Sequence, residues 1–141
     1  MLTGFIPPTS GTATICGFDL QTDIRNIRQQ IGMCPQHDLL FDELTVREHL
    51  SFYGNLRGLD SDTILSEIIR LTESLSIDDK LDVQSNQLSG GMKRKLSLAI
   101  AMIGDPKILI LDEPTSGMDP YSRRQVWELL IKAKVKKFEL F

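Results

Sequence analysis

Between Leu88 and Pro120 the chain reads LSGGMKRKLSLAIAMIGDPKILILDEPTSGMDP, and this stretch constrains the fold more than any other part of the 141 residues. Ser89, Gly90 and Gly91 lead into a helical pattern in which Leu96, Ala99, Ile100 and Ile103 share one face. Gly104, Asp105 and Pro106 stop that helix. Ile108 to Leu111 then form an unbroken apolar run, the pattern of a strand buried on both faces of a parallel sheet. A loop, a helix, a turn and a buried strand in this order predict an α/β fold. Asp112 and Glu113 stand just past the strand's carboxyl end, the edge at which open α/β sheets bind ligands.

These pieces have a common chemical use. Glycines without Cβ atoms let a ligand approach the backbone, and the free N–H groups of a helix N-terminus favour an anion such as phosphate. Beside a polyphosphate, one carboxylate, most simply Asp112, would hold Mg²⁺ directly or through water, because a hard cation takes oxygen ligands. The other, Glu113, would orient or deprotonate an attacking water. The two would separate these roles if the extended conformation persists and sends successive side chains to opposite sides. An isolated Ser-Gly-Gly is usually a turn and an isolated Asp-Glu a solvated loop. Their occurrence together, across one helix and one strand, favours the chemical reading.

LSGGM from Leu88 resembles the signature motif of ATP-binding-cassette (ABC) ATPases, ILILDE from Ile108 their Walker B strand, and SGMDP from Ser116 their D-loop. CPQHD at Cys34 to Asp38 adds the Q-loop, and with LTVREHLSFYGNLRG it is most similar to the A subfamily of ABC transporters, membrane proteins that mostly move lipids. The resemblance runs from Met1 to about Leu130. It implies a P-loop NTPase-type nucleotide-binding domain over residues 1–131, with a helical subdomain at about 39–103 and a divergent tail at 132–141. It also implies ATP and Mg²⁺ as ligands, with Asp112 and Gln36 at the metal and Glu113 and Gln36 at the attacking water. Leu88, Ser89, Gly90, Gly91, Met92 and Asp119 would contact ATP held by a second nucleotide-binding domain.

Parts of the family pattern are not found. No GxxxxGK[ST] occurs in the sequence, and Gly90-Gly91-Met92-Lys93 has the wrong spacing to replace it. Gly4 fits a helix C′ position with Pro7 and Pro8 beyond, so Met1 to Gly4 reads as the last turn of a helix, which in the family closes the helix after the P-loop. After a helix from Tyr121 to Ile131, KAKVKKFELF stands where the resemblance implies a strand ending in a switch histidine. With the P-loop and histidine strands missing, Ile108 to Leu111 would lie on an exposed edge, which predicts marginal stability in isolation.

Elsewhere, Thr12 to Cys16 predicts a short strand, Gly17 to Asp23 a polar connection, Ile24 to Gln30 a helical turn, and Ile31 to Pro35 a buried strand with Gln36 at its end. Thr45 and Glu48 form a capping box opening a helix to about Leu56, with Val46, Leu50 and Tyr53 on one side. Ser61 to Leu75 predicts a second amphipathic helix with Ile64, Ile68, Leu71 and Leu75 inward. Leu39, Leu40, Phe41 and Leu44 make an apolar cluster in a loop, the candidate contact for the transmembrane domain of a transporter. His37 reads as a loop histidine, and Lys93, Arg94 and Lys95 as a solvated helix face, the alternative being that one of them adds positive charge near the phosphate.

Charged residues make up 25% and the formal net charge is −3, without a basic block that would suggest nucleic acid. Cys16 and Cys34 match no metal-ligand spacing and read as reduced thiols. No run of about 18 apolar residues is present, so no direct membrane span is expected, and the domain would sit at the cytoplasmic face of a membrane through its partner. The function the resemblance implies is ATP hydrolysis driving transport of lipid. This chain alone is expected to be inactive for lack of Walker A and the switch histidine. The alternative is a non-catalytic binding module that pairs with an intact nucleotide-binding domain and regulates it.

Overall fold

The computed structural model describes residue 6, residues 9–136 and residues 139–140. The expected helical turn at Met1 to Gly4 and the residues Pro7, Pro8 and Lys137 lie outside the described residues. The described chain opens on an antiparallel hairpin of β1 (Thr14–Ile15) and β2 (Phe18–Asp19). Cys16 and Gly17 turn between them with φ of 51° and 83°, the double positive φ that tight hairpins require. The sequence reading had β2 as connection, since two residues are too few to display an alternation. Next come α1 (Ile24–Gln30) and β3 (Ile31–Cys34), both where the apolar pattern put them.

Two capped helices follow. For α2 (Val46–Leu56), Thr45 Oγ1 accepts from Glu48 N at 3.2 Å while Thr45 N donates to Glu48 Oε2 at 2.7 Å, the reciprocal capping box. For α3 (Ser61–Leu75), Asp60 Oδ1 accepts from Thr63 N at 2.9 Å, and Ile64, Ile68, Leu71 and Leu75 are buried as their spacing required.

The helix α4 (Gly90–Met102) is buried almost all round, from Arg94 to Ala99 and again at Ala101 and Met102. Its sequence suggested one apolar face. It has more because it lies between β3 on one side and α2 and α3 on the others. Gly32 makes the closest of these contacts possible: a Cβ there would sit 1.9 Å from the backbone oxygen of Ala101.

β4 (Ile108–Leu111) pairs in parallel with β3, in register from Ile31↔Ile108 to Cys34↔Leu111. Leu109 and Leu111 join the core shared with α2, α3 and α4, while Ile108 and Ile110 join Leu20, Ile27 and Ile31 under α1 and the hairpin. A strand covered on both faces has no polar positions to show, hence the unbroken apolar run.

The last helix, α5 (Pro120–Lys136), runs past the expected end at Ile131. Val126, Leu130 and Ala133 carry its buried face on at helical spacing, and the lysines of residues 132–136 are good helix formers. β5 (Glu139–Leu140) then pairs in parallel with β4, Ile108↔Glu139 and Leu109↔Leu140. Two expectations are corrected by this: residues 132–136 continue a helix rather than fray, and β4 is a central strand of the order β3-β4-β5 rather than an edge.

Candidate functional site

Because β3 and β4 are parallel, their carboxyl ends open on one edge of the sheet. The ladder runs one step beyond the last pair, with Asp112 N donating to Cys34 O at 3.0 Å. Gln36 follows β3 and Asp112 and Glu113 follow β4, so three residues distant in sequence meet at this edge with exposed side chains. The extended conformation does not persist there. Glu113 has φ 45°, in the left-handed region, and Ser116 N closes a turn onto Glu113 O at 3.0 Å. The alternation that was to send Asp112 and Glu113 to opposite sides therefore does not apply.

What holds the two loops together is Arg94, one of the residues expected on a solvated face. Arg94 is 3% exposed, and its guanidinium donates to carbonyls of both loops. Nη1 reaches Pro35 O, Gln36 O at 3.2 Å and Asp38 Oδ1 at 3.3 Å; Nη2 reaches Asp112 O and Glu113 O, the latter at 3.0 Å; Nε reaches Pro114 O at 3.3 Å. Asp38 is held in turn by Ser97 Oγ at 2.8 Å. Lys95 is also buried, its Nζ donating to Gln125 Oε1 at 3.2 Å, and burial lowers its pKa. The expectation of a solvated Lys93-Arg94-Lys95 face is corrected for both Arg94 and Lys95. A Lys-Arg-Lys run gives no sign of burial, since the packing around α4 decides it.

At the N-terminus of α4, Ser89 is the N-cap, its Oγ accepting from Met92 N at 3.3 Å. The hydroxyl hydrogen remains available to a ligand. Leu88 is buried and anchors the loop, Met92 is half-buried, and no atom lies within 4 Å of where a Cβ on Gly90 or Gly91 would stand. That open space leaves the first-turn N–H groups approachable. Asp119 caps α5, its Oδ1 accepting from Tyr121 N and Ser122 N at 3.0 Å each, and hydrogen bonding from Ser122 holds its carboxyl below the usual carboxylate range.

Among the described residues no three His, Cys, Asp or Glu side chains cluster as a ready metal site, and the side chains of Asp112, Glu113 and Gln36 have no hydrogen-bond partner. One carboxylate and one amide oxygen at a sheet edge suit Mg²⁺, which takes one or two protein oxygens and completes its shell with phosphate and water. The residues present fit that ion.

Beyond the Q-loop, Leu39 and Phe41 are 70% and 51% exposed, whereas Leu40 and Leu44 are half-buried and Leu40 packs on the core. Phe41, Asp42, Glu43, Leu44 and Phe52 line a shallow groove of about 540 Å³. Phe52 was not singled out from sequence, nor was His49. His49 is fully buried, accepts from Phe41 N at its Nε2 (2.9 Å) and faces Thr45 O with Nδ1 (2.8 Å), so Nδ1 carries the hydrogen. It pins this loop to α2.

Residues 1–116 match the family model described as ABC transporter. Among curated proteins, ATP-binding cassette sub-family A member 2 of Rattus norvegicus is 52% identical over 134 residues, 95% of this chain and 6% of that protein. The phospholipid-transporting ATPase ABCA3 of Mus musculus is 54% identical over 134 residues, 95% of this chain and 8% of its own length. The retinal-specific phospholipid-transporting ATPase ABCA4 of Homo sapiens is 51% identical over 132 residues, 94% and 6% respectively. The chain thus spans only 6–8% of the length of these relatives. A solved structure of an ATP-binding subunit of an ABC transporter superposes with TM-score 0.88 at 27% identity, over 99% of this chain and 58% of that one.

Proposed function

The chain belongs to the ABC transporter family, and from that membership we propose that it serves as nucleotide-binding machinery of an A-subfamily transporter, coupling ATP hydrolysis to movement of phospholipid across a membrane. The observation that carries this reading is the convergence of Gln36, Asp112 and Glu113 on one sheet edge, with their side chains exposed and their backbones tied to a common guanidinium. Asp112 and Gln36 would hold Mg²⁺, which would supply neutralisation of charge on the phosphates of ATP, and Glu113 orients or deprotonates the attacking water.

Ser89, Gly90 and Gly91, framed by Leu88 and Met92, lend their donors to ATP seated on a second nucleotide-binding domain, with Asp119 of the D-loop alongside. Leu39 and Phe41, joined by Phe52, receive the transmembrane domain, which sets this chain at the cytoplasmic face of the membrane. No helix among the described residues is long and apolar enough to cross a membrane. The working unit in this reading is residues 1–131, with residues 39–103 as its helical subdomain.

Glu113→Gln in an extension of the chain bearing both a P-loop and the switch histidine tests the assignment. Turnover is expected to fall about 10²–10⁴-fold with ATP·Mg²⁺ binding kept, and wild-type turnover would refute Glu113's role. The open surroundings of Gly90 and Gly91 suit a second reading, a non-catalytic module that completes a partner's site through Ser89 to Gly91. Titrated into an intact nucleotide-binding domain, such a module changes its ATPase rate; an unchanged rate removes this reading.

A further inference from the structure

We propose that Arg94 is a positioning residue that ties the main chains of the two loops carrying Gln36 and Asp112–Glu113 to α4 and so fixes the alignment of their side chains. The proposal rests on the functional reading of those side chains given above.

A guanidinium has five N–H donors in a rigid fork, and here they meet six acceptors, with one hydrogen shared. Five of the six are backbone carbonyls just beyond β3 and β4 that have left the sheet ladder, Glu113 O accepting from Ser116 N as well. Burying a charge is costly unless it is paired and fully hydrogen-bonded, and Arg94 meets both conditions, with Asp38 as its counter-charge. Three of the carbonyls belong to Gln36, Asp112 and Glu113 themselves. Holding their main chain leaves their side chains projecting into solvent. Arg94 lies five residues beyond Ser89 on one helix, about 7.5 Å along its axis. A rigid rod therefore presents the capped loop at its tip and grips the carboxylate loop a little over one turn further on.

A simple core cation would need only charge and length, whereas this arrangement needs the planar fork, which lysine's single ammonium cannot reproduce. The test is amide hydrogen exchange on the full chain for the wild type, Arg94→Lys and Arg94→Gln. In both variants the amides of residues 36–38 and 113–116 are expected to exchange at least about tenfold faster, together, while those of α3 keep wild-type rates. If Arg94→Gln fails to fold, Arg94→Lys carries the comparison. In an extension bearing both a P-loop and the switch histidine, Arg94→Lys is expected to lower kcat about tenfold with KM for ATP within about twofold, because the chemistry is misaligned and not the binding.

Unchanged exchange in the two loops, acceleration spread equally over α3, or full rescue by lysine would each overturn the proposal. An extension bearing both a P-loop and the switch histidine whose wild type hydrolyses no ATP would sink the reading of Gln36 and Glu113 instead, and the exchange result would still decide the link through Arg94.

Discussion

Gly32→Ala strikes the contact that seats α4 against the sheet. The new Cβ would lie 1.9 Å from Ala101 O, 2.7 Å from Leu109 Cδ2 and 2.9 Å from Pro106 Cγ. The first contact is with backbone, so no side-chain rotation relieves it. The helix and strand must part by about 1.1 Å to reach the 3.0 Å below which such contacts essentially never occur. Overpacking in cores costs 1–3 kcal/mol, and a clash with main chain belongs at the top of that range, so a loss of about 3 kcal/mol is expected. For a chain of this size that is a fall in Tm of about 10 °C. Urea unfolding followed by far-UV circular dichroism should show a lower midpoint with an unchanged slope. Gly90→Ala and Gly91→Ala are the controls: their surroundings are open, and stability should stay within about 0.5 kcal/mol. A Gly32→Ala midpoint equal to that of the wild type would refute the packing of α4 on β3.

Further outcomes follow from Cys34 and His49. Burial pushes the Cys34 thiol up to about 11 from 9.0, with Arg94 partly opposing, while Cys16 is exposed. An aromatic disulfide reagent should therefore modify one thiol at once and the other only on unfolding; a single phase for both would contradict the placement of Cys34. Because the folded value is the higher one, the neutral thiol's contribution to stability is complete below pH 9 and fades as the pH climbs through about 11, a loss that Cys34→Ala should not show. His49→Phe keeps the bulk but leaves Phe41 N without its acceptor, for an expected cost of about 1–3 kcal/mol and faster exchange at Phe41. Wild-type exchange at Phe41 would show that His49 does not pin that loop.

The features legible in the sequence were those written locally. The capping box at Thr45 and Glu48, the spacing of Ile64, Ile68, Leu71 and Leu75, and the apolar run from Ile108 each depend on neighbours within one element, and the structure has all three. That Gln36 belongs with Asp112 and Glu113 was only implied by the resemblance; the parallel pairing of β3 with β4 is what brings their backbones to one edge. Features set by packing between elements were not legible. Arg94, Lys95 and His49 are polar residues whose burial depends on which helices surround them, and nothing in a Lys-Arg-Lys run or a lone histidine reports that. The left-handed turn at Glu113 escaped notice because glutamate carries no signal for positive φ. The extension of α5 was present in the spacing of Val126, Leu130 and Ala133, but the lysines between them masked it.

The central claim is that this chain holds one share of a divided nucleotide site: the carboxylates, the Q-loop and the capped glycine loop, with the phosphate cradle supplied by a P-loop. Calorimetric titration of ATP·Mg²⁺ into the 141-residue chain and into a P-loop-bearing extension of it tests that claim most directly. The account predicts heat of binding from the extension and none from the chain alone. Comparable binding by the chain alone would contradict it and would mean that the groups holding phosphate lie within these residues.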